Sequence, residues 1–150
     1  LTAHIAALRT ALLSVRRRRP FRIDAIVVLP DHLHCIWTLP PDDADYSTRW
    51  RLIKASFART IAAGEPLSDR RQKKGERGIW QRRFWEHAIR DQQDFNNHCD
   101  YIHYNPVKHG HIERVADWPH SSFQRFVADG VYPLDWSDNP GSADEGDFGE

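Results

Sequence analysis

Two histidines separated by one residue, His32 and His34, are the first group in the sequence with an evident chemistry. They begin a stretch, residues 32–39, in which residue types alternate as they do in a β-strand. Successive side chains of a strand point to opposite faces, so both imidazoles would share one face while Leu33 and Cys35 point into the core. Imidazole is a common metal ligand, and the pair therefore predicts part of a metal site. The alternative is a pair of ordinary hydrogen-bonded histidines at a strand edge.

A tyrosine and an asparagine four residues apart, Tyr101 and Asn105, form the second such group. They lie in or beside a predicted helix that should end at about Tyr104, because the residue before Pro106 is disfavoured in α geometry. Residues four apart stack on one helix face. The Asn105 amide oxygen is a suitable ligand for Mg²⁺ or Mn²⁺, and two imidazoles favour Mn²⁺. The alternatives are a half-buried helix tyrosine and a helix-end cap.

The elements that would position these groups combine helices with a short hairpin. Short connections between two strands favour an antiparallel pair, and the absence of regular βαβ units predicts an α+β fold. A ferredoxin-like antiparallel sheet with helices packed on it is the preferred topology. The predicted elements are a helix over 2–18, strands over 21–29 and 32–39, a helix capped by Ser47 and ending near 63, a strand or extended pair over 79–89, a helix from 91, and a short helix near 121–128.

Length and composition bound the class of protein. At 150 residues with a mean hydropathy of −0.68, the chain fits one domain over 1–136 followed by an acidic, disordered tail over 137–150. No segment resembles a signal peptide or a membrane span, which predicts a cytoplasmic protein whose two cysteines stay reduced.

Charge is distributed unevenly along the chain. Residues 130–150 hold six acids and no Lys or Arg, so the remainder has 21 basic against 15 acidic residues, about +6. A cationic body is compatible with a nucleic-acid partner and equally with a solvated basic surface. The candidate phosphate contacts are Arg49, Arg51, Lys54, Lys73, Lys74, Arg77, Arg82 and Arg83.

Three long segments resemble one protein family. LPDHLHCIWTLP (29–40), GIWQRRFWEHAIRD (78–91) and HCDYIHYNPVKHG (98–110) closely resemble the REP-associated tyrosine transposases, relatives of the HUH single-tyrosine transposases. The resemblance covers nearly the whole chain. Three motifs in order are far more specific than any one alone.

The resemblance implies a role for each group of residues. His32 and His34 would be catalytic metal ligands, Tyr101 rather than Tyr104 the nucleophile, and Asn105 the third ligand to Mg²⁺ or Mn²⁺. The implied partner is single-stranded or hairpin DNA from repetitive extragenic palindromes, bound by a monomer or a homodimer. Family members also carry a strand upstream of residue 1, which implies a truncated domain whose sheet lacks that strand.

Two other functions fit the same residues. A domesticated protein could keep the fold and bind DNA hairpins without cleaving them. A metal hydrolase could use His32, His34 and water, and its cleavage would leave no DNA attached to the protein.

Overall fold

A computed structural model describes residues 1–62, 73, 78–81 and 84–137. The chain divides into two compact units. The first comprises Leu1–Thr2, Arg22–Thr38 and the chain from Trp85 onward, and the second comprises Ala3–Phe21 and Leu39–Phe84.

The first unit is built on a β-hairpin. Strands β1 (Arg22–Val28) and β2 (Leu33–Thr38) pair antiparallel, with Val27 opposite His34. Alternation of apolar side chains directs one face of this hairpin against a long helix that follows it in the same unit. The buried residues that join the two are Ala25, Val27, Ile36, Cys99 and Ile102.

That long helix, α3, extends over Gln92–Lys108. The Asp91 carboxylate caps it by accepting a hydrogen bond from the Asp94 backbone N–H at 2.8 Å. The predicted end near Tyr104 is wrong, because the helix continues through Pro106. A proline this close to the C-terminus removes one backbone donor without ending the last turn, which the His109 N–H closes by donating to the Asn105 carbonyl at 3.0 Å.

Residues 120–122 cover the other edge of β1. The Val28 N–H donates to the His120 carbonyl, and the Ser122 N–H donates to the Ile26 carbonyl, each at 2.8 Å. A 3₁₀ turn (Val115–Asp117) precedes this segment, and helix α4 (Phe123–Ala128) follows it, as predicted.

The second unit is a pair of helices in contact, α1 (Ile5–Arg18) and α2 (Tyr46–Thr60). A 3₁₀ turn (Thr2–His4) leads into α1. The predicted cap of α2 is corrected from Ser47 to Asp45, whose carboxylate accepts from the Thr48 N–H at 3.1 Å. The apolar residues buried on these helices include Leu8, Leu12, Val15, Ile53 and Phe57.

Arg49 on α2 is a buried structural residue with 1% of its surface exposed. Its guanidinium donates to both carboxylate oxygens of Asp43, at 2.7 and 3.1 Å, and to the carbonyls of Pro20 and Asp45, each at 2.9 Å. The hydrogen bond from Arg49 lowers the pKa of Asp43 to about 2. An enclosed guanidinium has no surface to present to a phosphate, so the structure corrects the prediction that Arg49 contacts DNA.

Substitution of Arg49 by leucine should destabilise the protein by about 2–4 kcal/mol, because a carboxylate and the carbonyls of Arg19, Pro20 and Asp45 lose their donor. The measurement is the free energy of unfolding in urea. Arg51, which is exposed on the same helix, gives the matched control Arg51→Leu, with an expected change within about 0.5 kcal/mol. Equal effects of the two substitutions would contradict the structural role.

The same ion pair should be acid-sensitive. The pKa of Asp43 is about 2 in the folded protein, against an ordinary value of 3.8. The ion pair therefore stabilises the fold fully above the ordinary pKa. This contribution is lost as the pH falls from there toward the folded-state pKa.

The α+β class is confirmed, with helices packed on an antiparallel strand pair. Of the strand or extended pair predicted over residues 79–89, the strand is wrong for the described part of that range, which forms no strand. Side-chain hydrogen bonds are found there instead of backbone pairing between strands. The Trp80 indole N–H, for example, donates to the Lys54 carbonyl at 3.2 Å. Among the described residues, none of the helices combines the length and apolarity required to span a bilayer.

Candidate active site

The two predicted histidines lie beside each other at the start of β2. Their ring centroids are 5.1 Å apart, with the planes at 86°. His34 lies opposite the buried Val27 and two residues before the buried Ile36, so it occupies the hairpin face that α3 covers. Leu33 and Cys35 lie on the hairpin face opposite the one that α3 covers; both are half-buried, as His34 is, and burial raises the pKa of the Cys35 thiol.

Asp31 orients the first histidine. The His32 Nδ1 lies 2.8 Å from Asp31 Oδ1, and this hydrogen bond lowers the pKa of the carboxyl. A carboxylate that holds Nδ1 fixes the tautomer and leaves Nε2 as the ligand atom, as in metal sites whose histidines have a carboxylate partner.

Tyr101 lies against this pair. Its ring centroid is 5.4 Å from that of His34, with the planes at 82°, and the Lys108 Nζ lies 4.9 Å from its ring centroid. Tyr101 is 6% exposed, yet the groups against its ring are an imidazole and an ammonium. The Tyr101 ring is thus bordered by polar groups as well as by the core.

Tyr104 occupies a different position on α3. Three residues correspond to about 300° of helical rotation, so its side chain leaves the helix about 60° around the axis from that of Tyr101. Tyr104 is half-buried, and the phenol in ring contact with His34 is that of Tyr101.

Asn105 is the least satisfied side chain of the site. It is fully buried, and neither its amide nitrogen nor its amide oxygen has a hydrogen-bond partner within the described residues. An unsatisfied buried amide costs about 1–3 kcal/mol, so its presence requires an explanation. Its position four residues after Tyr101 places it on the same helix face, where a hard cation would use its oxygen.

Two further residues near the site were not predicted from the sequence. Lys108 lies over the Tyr101 ring, and the His109 ring centroid is 5.1 Å from that of His32. Lys108 follows Tyr101 by seven residues, which is two helical turns. That spacing predicts that the two side chains share a helix face. Ending the predicted helix at about Tyr104 concealed that relation.

The predicted phosphate contacts have mixed placements. Arg51 and Lys73 are exposed. The Lys54 ammonium lies 5.1 Å from the Phe84 ring centroid and donates to the Gln81 carbonyl at 3.3 Å, and burial lowers its pKa. Arg49 is enclosed, as described above. Four others lie outside the described residues: Lys74, Arg77, Arg82 and Arg83.

Comparison with known proteins now connects this geometry to a class. The chain is 51% identical over 137 residues to the REP-associated tyrosine transposase of Escherichia coli (strain K12), covering 91% of this chain and 75% of that protein. A protein named for the same family in Haemophilus influenzae (strain ATCC 51907 / DSM 11121 / KW20 / Rd) is 47% identical over 149 residues, covering 99% of this chain and 85% of that protein.

A solved structure supports the same conclusion. It is that of a REP-associated tyrosine transposase bound to a REP hairpin, with a TM-score of 0.82 and 49% identity, covering 100% of this chain and 81% of that chain. No family model matches the chain.

Fold and site together define an α+β protein in which His34 on a strand contacts Tyr101 on a helix, with His32, the residue before that strand, beside His34. Identity of about half over most of both chains makes the assignment specific. The chain belongs to the REP-associated tyrosine transposase family.

Proposed function

We propose that the protein is a metal-dependent endonuclease and strand transferase that acts on single-stranded DNA flanking hairpin palindromes. The observation that carries this proposal is the contact between the Tyr101 and His34 rings, whose centroids are 5.4 Å apart. A phenol beside an imidazole pair has the arrangement required of a nucleophile next to a phosphate-binding centre.

The reaction assigned to Tyr101 is a transesterification. Its phenolic oxygen attacks a DNA phosphorus and loses its proton, the bond from phosphorus to the 3′ oxygen breaks, and that oxygen leaves as a 3′-OH. The product is a 5′-phosphotyrosyl ester. Because one phosphoester replaces another, a second 3′-OH can reverse the step and join a new strand without an external energy source.

The donor set fits a divalent cation. His32 and His34 would hold it through ring nitrogens and Asn105 through its amide oxygen, a combination suited to Mn²⁺ or Mg²⁺. When bound, such an ion supplies charge stabilisation to a phosphate, which matters because the ordinary phenol pKa of about 10 makes tyrosine a weak nucleophile at neutral pH. The carboxylate of Asp31 keeps the His32 imidazole in the required tautomer.

The DNA partner is inferred from the solved relative and from charge. That relative is described as bound to a REP hairpin. Two of the predicted phosphate contacts, Arg51 and Lys73, are exposed and can neutralise phosphates. Binding of this kind weakens steeply as the salt concentration rises.

Incubation with a labelled REP-like hairpin that carries a single-stranded flank tests the proposal. With Mn²⁺ or Mg²⁺, a covalent protein–DNA species should form and resist denaturing electrophoresis, and a chelator should prevent it. Salt-sensitive binding without cleavage, with or without chelator, would instead indicate a non-cleaving hairpin-binding protein. Cleavage that leaves no protein-linked DNA would indicate a metal hydrolase.

Asn105→Ala should separate metal binding from stability. Because the buried amide has no hydrogen-bond partner among the described residues, its removal should lower the melting temperature of the metal-free protein little. Mn²⁺ should raise the melting temperature of the wild type through linkage, and the variant should lose most of that rise together with roughly 10- to 100-fold of its cleavage rate.

The matched variant Asn105→Asp keeps a ligand oxygen and should retain the Mn²⁺-dependent rise. If Asn105→Ala showed the same rise as the wild type, Asn105 would not be a ligand.

A further inference from the structure

An aromatic cluster in the same unit plays no part in the Tyr101 chemistry. Trp85, His87 and His98 have ring planes within 16° of parallel, with centroids 4.6 Å apart for the two histidines and 5.6 and 6.1 Å from Trp85 to His87 and His98. Three nearly parallel rings at these separations form one stacked aromatic cluster.

A single carboxylate fixes this cluster to the first turn of α3. Asp94 Oδ2 lies 2.8 Å from His87 Nε2 and accepts the Arg90 backbone N–H at 2.9 Å, while Oδ1 lies 3.1 Å from His98 Nδ1. Asp94 is buried and held by the Asp91 cap. The segment that carries Trp85 is therefore anchored to the helix at two points.

The indole remains open to solvent although its surroundings are fixed. Trp85 is 40% exposed, and the Arg90 side chain, also bound to Asp94, is 75% exposed. An aromatic ring that is already ordered loses little conformational entropy when a planar ligand stacks on it. A cation five residues away along the same segment suits a ligand whose planar group is attached to a phosphate.

We propose that Trp85 is the stacking site for one unpaired base of the single-stranded flank, with Arg90 contacting a neighbouring phosphate. An unpaired nucleotide combines an apolar π-face with an adjacent anion, as this surface requires, and base stacking on aromatic side chains is a general means of holding single strands. The inference rests on the proposed function and assigns a binding site to the unpaired part of the substrate.

A divalent cation is the competing ligand for the same residues. Donor atoms of His87, Asp94 and His98 all lie within 4.8 Å of one another. Ring-nitrogen lone pairs lie in the ring plane, however, and the two imidazole planes are only 10° apart, so the lone pairs do not converge on one ion without a rotation. The present hydrogen bonds to Asp94 favour the stacking surface.

The test compares Trp85→Leu with Trp85→Phe on two probes, a REP-like hairpin with a short flank that contains 2-aminopurine and the same hairpin without a flank. Leucine should weaken binding of the flanked hairpin roughly 5- to 100-fold and reverse the quenching of 2-aminopurine fluorescence. Phenylalanine should preserve most of both. Neither variant should change the affinity for the hairpin without a flank, which also shows that the variants are folded.

Unchanged binding of the flanked hairpin by Trp85→Leu would overturn the inference and leave the proposed function intact. A saturable Co²⁺ absorption spectrum that is lost in His98→Ala, with flank binding unaffected by Trp85→Leu, would show that the cluster binds a cation and not a base. Failure of the wild type to bind either hairpin would instead refute the proposed function, so the two failures are distinguishable.

Discussion

Tyr101→Phe is expected to abolish the covalent protein–DNA species and to lower strand cleavage by roughly 10³-fold or more. The substitution removes the only atom of Tyr101 that can attack phosphorus and keeps the ring that packs beside His34 and Lys108. Hairpin affinity should therefore remain close to that of the wild type. Denaturing electrophoresis of a substrate labelled at its 3′ end measures the effect, because the 5′-phosphotyrosyl ester joins the protein to the fragment on the 3′ side of the cut.

Tyr104→Phe is the matched control, because Tyr104 lies on the same helix and its side chain leaves the helix in another direction. It should cleave at nearly the wild-type rate. Comparable adduct formation by Tyr101→Phe would show that another group is the nucleophile and would remove the basis of the enzymatic assignment.

His34→Ala is expected to reduce cleavage by roughly 10²- to 10³-fold, because one of three proposed ligands is lost and the phosphate loses its charge stabilisation. Hairpin binding should fall by less than about threefold, since phosphate contacts elsewhere supply most of the affinity. Cleavage assays at several Mn²⁺ concentrations, together with filter binding in chelator, separate the two effects.

His4→Ala controls for the loss of an imidazole as such. His4 is exposed, and its ring contacts that of Phe57; both residues belong to the second unit. This variant should retain full cleavage. An equal loss of hairpin binding and cleavage in His34→Ala would mean that the residue holds the fold together and does not act in the chemistry.

The hairpin and the histidine pair were predictable because their signals are local. Alternation over residues 32–39 defines a strand, two residues of spacing place His32 and His34 side by side, and the short connection fixes the antiparallel register. The start of helix α3 was predictable for the same reason, because its cap joins Asp91 to Asp94, only three residues away.

The features that were missed depend on contacts between distant parts of the chain. Arg49 has the sequence context of a surface cation, but in the fold it is buried and donates to the Pro20 carbonyl and the Asp43 carboxylate. Buried acceptors without a donor are costly in the interior, but no local pattern says which arginine will donate to them.

Pro106 illustrates a different failure. The steric rule that a residue before proline avoids helical geometry is a preference, and tertiary packing of a buried Asn105 and Pro106 outweighs it here. The consequence reaches the site: the extra turn carries Lys108 over Tyr101, and the chain beyond it carries His109 to His32.

The most direct test of the account is to identify the attachment residue. After reaction of the wild type with a hairpin substrate and Mn²⁺, nuclease trimming and proteolysis should yield a peptide containing Tyr101 with a 5′-nucleotide on its phenolic oxygen, detected by mass spectrometry. Attachment to Tyr104, or cleaved DNA without any modified peptide, would contradict the account.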